Sequence, residues 1–432
     1  MSNMEQHTKM KLSSFKWIIV LKLLFTILKV CAEQEKGSSA QDAEVQHITD
    51  KTGWDRAWTH AALEPLYNSS LYPDVDVFRA RVRFPSALGI ANQLRKYHMN
   101  STRVKRGTAV VVVRAGKVYG ITFEDFSPAF RIRLDSVVSE LQRYQDAGYI
   151  KLEDTVFILN TRDVPVCTLG YCLAPLFSYI KDIRNGRPYS DDLLVPLMSY
   201  PFEELVEYPQ DKKIRQGVMA SYMDEAVGSE NTCRSLVHRF AREDTAGEYI
   251  KILDSEQLME TGKDRNALKA AHVSGIVAPP PPPDQLVRYS LVMSCDYQTA
   301  NPGLASLLHT NSLVLKGRSS WYEYYYRALE NGVHYVEFEP GFAEEEVKDA
   351  LKPAAQEKVR AMVEAAQRFA YKYLSQRSRA LFFEKAISEY NKLFGPDYMK
   401  ATVADLPGDR SIQMRDILAL KMYPSSWRQG LA

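Results

Sequence analysis

Asp163 lies in the stretch Val156-Phe157-Ile158-Leu159-Asn160-Thr161-Arg162-Asp163-Val164-Pro165, in which apolar, strand-forming residues give way to a polar turn. Such a run reads as a buried strand, and open α/β sheets present their ligand-contacting side chains at the carboxyl ends of strands. A carboxylate placed there can take a proton from an incoming hydroxyl. Two readings of Asp163 therefore stand side by side. It is a general base facing a cleft, or a structural group that pairs with Arg162 or caps the turn before Pro165.

The other chemistry-bearing residues fit quieter roles. His334, between Val333 and Tyr335, suits hydrogen bonding to backbone more than proton transfer. Trp321, Tyr322, Tyr324, Tyr325 and Tyr326 offer a sugar or base platform, but their helical spacing favours core packing. Asp74-Val75-Asp76 has the form of a metal-binding pair, yet no apolar strand precedes it, so it reads as surface. There is no phosphate-binding loop ending in Lys-Ser/Thr, no HExxH and no Gly-x-Ser-x-Gly elbow. The cysteines lack paired CxxC spacing and a histidine cluster, so no metal site is expected.

The elements that must position Asp163 follow from size and patterning. A chain of 432 residues, 45% hydrophobic, is long enough for two compact domains with a cleft between them, since single cores rarely grow past roughly 250 to 300 residues. Lys and Arg number 55 against 53 Asp and Glu, which provides no one-sign field for nucleic acid. Thr108 to Val113 and Lys117 to Phe123 read as a hairpin around Ala115-Gly116. Leu134 to Gln145 reads as a helix with Leu134, Val137, Val138 and Leu141 on one face. That strand, helix, strand order favours an α/β lobe with mainly parallel pairing. The theme repeats in a helix at Thr232 to Arg242, a strand at Tyr289 to Met293, a helix at Leu304 to His309 and a strand at Ser312 to Leu315. Pro279 to Pro283 must be an extended connection. From Glu344 to about Leu393 apolar residues recur at helical spacing with a break near Pro353, as expected of helices covering the second sheet, and the tail then crosses back to the first lobe.

The amino terminus carries an address. Lys9, Lys11 and Lys16 precede the apolar run Trp17 to Leu28, and Val30-Cys31-Ala32 forms a small-residue cleavage site. A signal peptide over 1–32 is the expectation, with a retained membrane anchor as the alternative, although Lys22 and Lys29 interrupt the stretch. Asn68-Ser69-Ser70 and Asn100-Ser101-Thr102 are N-glycosylation acceptors. Loss of Cys31 with the leader leaves Cys167, Cys172, Cys233 and Cys295, which an oxidising lumen can pair in three ways; Cys167 with Cys172, bracketing a turn, is preferred. The predicted organisation is a flexible stem over 33–53, a first domain over 54–205, a second over 206–395 and a crossing tail over 396–432.

The motif Asn160-Thr161-Arg162-Asp163-Val164-Pro165 resembles the strand-end aspartate of the Rumi and protein O-glucosyltransferase family, which includes fungal capsule-associated xylosyltransferases. A second block strengthens the resemblance: Arg288 to Met293, Leu307-Leu308, Ser312 to Lys316, Trp321 to Tyr325 and Val333 to Val336 follow in the family's order and spacing. The resemblance spans roughly Lys117 to Leu393. It implies two Rossmann-like domains facing a cleft (GT-B type) and inverting transfer from a UDP-sugar, glucose or xylose foremost, without a metal or other cofactor. The acceptor the resemblance implies is a protein or glycan hydroxyl in the lumen of the endoplasmic reticulum or Golgi, or outside the cell. On this resemblance Asp163 is the base, Arg234 meets the diphosphate, Arg215 and Gly217 lie ahead of the donor loop, and Gln298, Thr299, Ala300, Asn301 and Gly303 belong to the loop approaching the nucleotide. The sequence departs from the family where Gln216 stands for an arginine and where Asn301-Pro302-Gly303 replaces Ser-x-Arg. These losses motivate the alternative of a non-catalytic lumenal or secreted binding protein that keeps the fold.

Overall fold

A computed structural model describes residues 45–428 apart from 82–84, 101, 168–171, 200–202, 222–231, 255–282, 297–298 and 409–410. The leader, most of the stem, Gln298 and nearly all of the proline run lie outside the described residues. Among the described residues no helix is long and apolar enough to cross a membrane.

The chain begins with β1 (Gln46–Ile48) and reaches its first helix of consequence, α1 (Tyr72–Arg81), before entering the first sheet. The β-branched run predicted as a strand is β2 (Thr108–Arg114), and its partner is β3 (Lys117–Thr122). The turn between them puts both Ala115 (φ 49) and Gly116 (φ 76) in the left-handed region, as a two-residue hairpin requires. Helix α2 (Pro128–Asp146) then carries the chain across the sheet into β4 (Thr155–Asn160), followed by β5 (Leu176–Ser178). A small hairpin of β6 (Lys181–Arg184) and β7 (Arg187–Pro188) leads to β8 (Leu193–Leu194) and β9 (Leu205–Glu207). The first sheet has the order β3-β2-β4-β5-β8. It is mixed rather than mainly parallel: β2 runs antiparallel to both β3 and β4, and only the β4-β5 and β5-β8 pairs are parallel. The hairpin turn imposes this, because it reverses the chain before the helical crossover starts.

The second sheet is built from β10 (Ile214–Ser221), β11 (Ile250–Asp254), β12 (Tyr289–Ser294), β13 (Leu313–Gly317) and β15 (Val336–Phe338), after the short β14 (Trp321–Tyr322). Its order is β11-β10-β12-β13-β15 and each pairing is parallel. Helix α3 (Cys233–Glu243) connects β10 to β11, and α4 (Leu304–Leu308) connects β12 to β13. The two-residue period of the strands sorts the core. Met219, Leu291, Met293, Leu313 and Leu315 pack on α3 and on α5 (Ala343–Leu351), whereas Val218, Val292 and Val314 face the opposite side. The predicted helix break falls at Pro353, where a 3-10 turn separates α5 from α6 (Gln356–Tyr373).

Four further expectations change. Residues 46–48, assigned to the flexible stem, pair antiparallel with β9. Helix α7 (Gln376–Phe394), expected on the second sheet, lies on the first: Phe383 packs 5.7 Å from Phe177 between ring centroids, and the Tyr390 hydroxyl donates to the Val156 carbonyl at 3.0 Å. Periodicity identifies a buried face but does not say which sheet covers it. The segment Trp321 to Tyr325 is not helical; β14 pairs with β6 of the small hairpin, Tyr324 and Tyr325 are buried in the turn that follows, and buried Tyr326 opens a 3-10 turn. Asp74, read as surface, is buried. It accepts from Lys181 Nζ at 2.6 Å, Arg327 Nη1 at 2.9 Å and the Leu194 N–H at 3.2 Å, while its neighbour Asp76 stays exposed.

Candidate functional site

In chain order the second sheet reads second strand, first, third, fourth, fifth, so connections leave β10 and β12 in opposite directions and open a crevice at their carboxyl ends. A disulfide spans that crevice. Cys233, at the start of α3, bonds to Cys295, just past β12, with Cα atoms 5.5 Å apart. Thr232 caps the helix by accepting from the Ser235 N–H at 3.2 Å. Arg234 donates from Nε to the Cys295 carbonyl at 3.4 Å. Gly317, ending β13, is held to glycine because an added Cβ would fall 2.3 Å from Cys233 Sγ. His238, one turn along α3, meets Ser221 Oγ at 3.0 Å; burial first, then Arg242 and Arg234, depress its pKa and favour the neutral ring.

The loop after β12 is organised by Asp296. Its carboxylate accepts from the Asn301 N–H at 2.7 Å, from Lys316 Nζ at 3.2 Å and from Ser319 Oγ. Asn301 in turn donates from Nδ2 to Ser294 Oγ at 3.1 Å and accepts from the Gly303 N–H at 3.0 Å. Tyr326 donates to Glu323 at 3.4 Å and lies under Lys316, whose ammonium is 5.1 Å from the ring centroid. Glu323 is deeply buried; that burial, reinforced by the Asp296 charge, pushes its pKa up to about 8. Neither Asp296 nor Glu323 was singled out from sequence. The strand-end rule applied to Asp163 would have found Asp296, which follows β12 by two residues.

Of the residues expected around a nucleotide, Arg234, Thr299, Ala300, Asn301 and Gly303 belong to this carboxyl edge. Arg215 and Gly217 do not join them. Both lie toward the amino end of β10, where Arg215 donates to the Leu351 carbonyl at 2.7 Å and Gly217 faces Val347 of α5. Lys213 is sealed in at that same end, donating to the Val287 carbonyl at 2.5 Å and to Ser312 Oγ at 2.7 Å, and burial lowers its pKa to about 7. Arg318 does lie at the carboxyl edge, where it pairs with Glu337 at 2.7 Å and with Glu339.

Asp163 follows the carboxyl end of β4 in the first sheet. Three attachments hold the strand end. Thr161 donates from both its N–H and Oγ1 to the Gly107 carbonyl at 2.9 Å. Asn160 donates to the Val164 carbonyl at 2.8 Å and to Ser178 Oγ at 3.0 Å. Buried Asp192 accepts from Ser178 Oγ at 2.5 Å and from the N–H groups of Val166 and Cys167 at 3.1 and 3.0 Å. Next to that anchor Cys167 and Cys172 form the preferred disulfide, Cα atoms 5.4 Å apart. The Asp163 side chain remains 37% exposed and pairs with Arg133 of α2, with Nη2 2.5 Å from Oδ1. His334 has the backbone role expected of it, since Nδ1 accepts from the Glu330 N–H at 2.9 Å. Asn68 is exposed, and the Asn100 side chain lies outside the described residues. Among the described residues no group of three or more His, Cys, Asp or Glu gathers that could hold a metal ion.

Residues 293–405 match the family described as glycosyl transferase family 90. None of the curated proteins compared matches the chain. The matched stretch runs from the end of β12 through the Asp296 loop, β13 and β15 to the helices beyond, and so takes in one side of the crevice. It supports a glycosyltransferase function, with a sugar donor and an acceptor as substrates. The two disulfides are consistent with an oxidising secretory environment.

Proposed function

We propose that the chain is an inverting, metal-independent glycosyltransferase of the secretory pathway, of the GT-B type with two Rossmann-like domains facing a cleft. It moves glucose or xylose from a UDP-sugar to a hydroxyl of a protein or glycan. The observation that carries this reading is a partly exposed carboxylate, Asp163, fixed at the carboxyl end of a buried strand. Asp163 accepts the proton of the acceptor hydroxyl as that oxygen bonds to the anomeric carbon. The bond from that carbon to the diphosphate oxygen breaks on the opposite side, and its electron pair leaves with UDP. Arg234 and the amino end of α3 are the groups suited to the leaving charge, since the dipole of a helix of 11 residues is positive at that end. The loop from Gln298 to Gly303 approaches the nucleotide, and residues 1–32 deliver the chain to the endoplasmic reticulum or Golgi lumen.

A second reading, a binding protein that retains the fold without turnover, is favoured by the commitments of the remaining cations. Lys316 is bound to Asp296 and Arg318 to two glutamates, and a missing donor at developing charge costs about a hundredfold or more in rate. One pair of measurements separates the two. UDP release from a panel of UDP-sugars by wild type, lost in Asp163→Asn, supports the transferase. Calorimetric binding of UDP with no turnover of any donor supports the binding protein, and equal turnover by both chains removes Asp163 from the role of base.

A further inference from the structure

Arg133 occupies a position where a charge needs a reason. Helix α2 buries Ala129, Leu134, Val137 and Leu141 against the first sheet, and Arg133 lies on the same inward side, only 4% exposed. Desolvating a guanidinium is costly unless its donors are engaged. Here two of them are engaged at one place: Nη1 donates to the Thr161 carbonyl at 2.8 Å and Nη2 meets Asp163 Oδ1 at 2.5 Å. The fork therefore grips the backbone at the strand end and the carboxylate two residues later. The base of the fork is fixed as well, because the Tyr179 hydroxyl donates to the Arg133 carbonyl at 3.4 Å and the guanidinium lies 6.0 Å from the Phe130 ring centroid.

We propose that Arg133 is a positioning residue for the transfer reaction, a role that rests on the reading of Asp163 as the base. A carboxylate has two oxygens and about four lone-pair sites. Arg133 holds Oδ1 and sets the rotation of the group, which leaves Oδ2 to be presented at one angle to an acceptor hydroxyl. A planar two-pronged donor can orient both a carbonyl and a carboxylate, whereas an ammonium can only attract them. Misplacing a reacting group by about 1 Å can cost on the order of a hundredfold in rate.

The test compares Arg133→Gln and Arg133→Lys with wild type, each alone and combined with Asp163→Asn. Turnover of the preferred UDP-sugar, KM for donor and acceptor, UDP affinity and melting temperature are measured for each. The expected result is a fall in kcat of about 10- to 100-fold in Arg133→Gln, with both KM values and UDP affinity within about twofold and an intermediate kcat in Arg133→Lys. In the Asp163→Asn background the same Arg133 substitutions cost no further turnover. The proposal is overturned if Arg133→Gln keeps wild-type kcat. It is equally overturned if its loss is as large without the carboxylate as with it, since that marks a purely structural effect. Should Asp163→Asn itself turn over at the wild-type rate, it is the assignment of the base that fails, and the inference falls with it.

Discussion

Replacing Asp163 by Asn keeps the shape of the side chain but removes the proposed proton acceptor, so kcat, measured as UDP release, is expected to fall by roughly 10² to 10⁴, and the melting temperature is expected to drop because buried Arg133 loses the charge that faces it. Across the molecule, Asp296 and Lys316 form an ion pair whose side chains are 2% and 8% exposed. Asp296→Asn strands the ammonium and should cost about 3 to 5 kcal/mol in urea unfolding. Glu323 governs a pH dependence. Its folded pKa of about 8 lies above the ordinary glutamate value of 4.5, so the native state binds more protons between these values and stability falls as pH rises through that window. Below pH 4.5 both states are protonated and the group adds no slope. Glu323→Gln should therefore flatten the decline in melting temperature between pH 5 and 8 and melt above wild type at pH 8. Asp163 was legible in sequence because an apolar strand and a polar turn are local patterns. Arg133, Asp296 and Glu323 were not read as one system with their partners, because the charges facing each of them come from other elements.

At the scale of elements, the carboxyl edge of the second sheet depends on how closely α3 approaches β13. Gly317→Ala places a methyl group 2.3 Å from Cys233 Sγ, and strand and helix must part. The expected cost is about 1 to 3 kcal/mol in thermal or urea unfolding, with weakened UDP binding by calorimetry because Arg234 moves with the helix. A Gly317→Ala variant with wild-type stability would show that this approach is loose. Helices α2 to α7 and the βαβ unit from β12 to β13 were readable from periodicity, though α1 was not. The placement of α7 was not. Phe383 and Tyr390 announce a buried helix face, yet only the aromatic surface of Phe157 and Phe177 on the first sheet determines what receives it. The same holds for β14: two aromatic residues in a Tyr-rich run pair with β6 because the backbone donors and acceptors of that short edge are available there, a matter of geometry rather than of propensity.

At the scale of the whole molecule, Asp74 ties together segments far apart in the chain. It binds Lys181 and Arg327, residues 107 and 253 positions away, and its side chain is 1% exposed. Asp74→Asn leaves two buried or half-buried cations facing a neutral group, and a loss of about 3 to 5 kcal/mol is expected in urea unfolding. A change below about 1 kcal/mol would show that the junction rests on apolar packing instead. From the residues alone came the alternation of strands and helices, the strand end that carries Asp163, the tight hairpin and the short-range disulfide. All of these depend on torsional preference, turn chemistry or hydrophobic period over a few neighbouring residues. Which cation reaches which carboxylate, which sheet receives α7, and that Arg215 and Gly217 stand toward the opposite end of the strand from Arg234 were decided only in the folded chain. Coulomb interactions and close packing act through space, and the separation of two residues along the backbone does not determine their distance once sheets and helices have stacked.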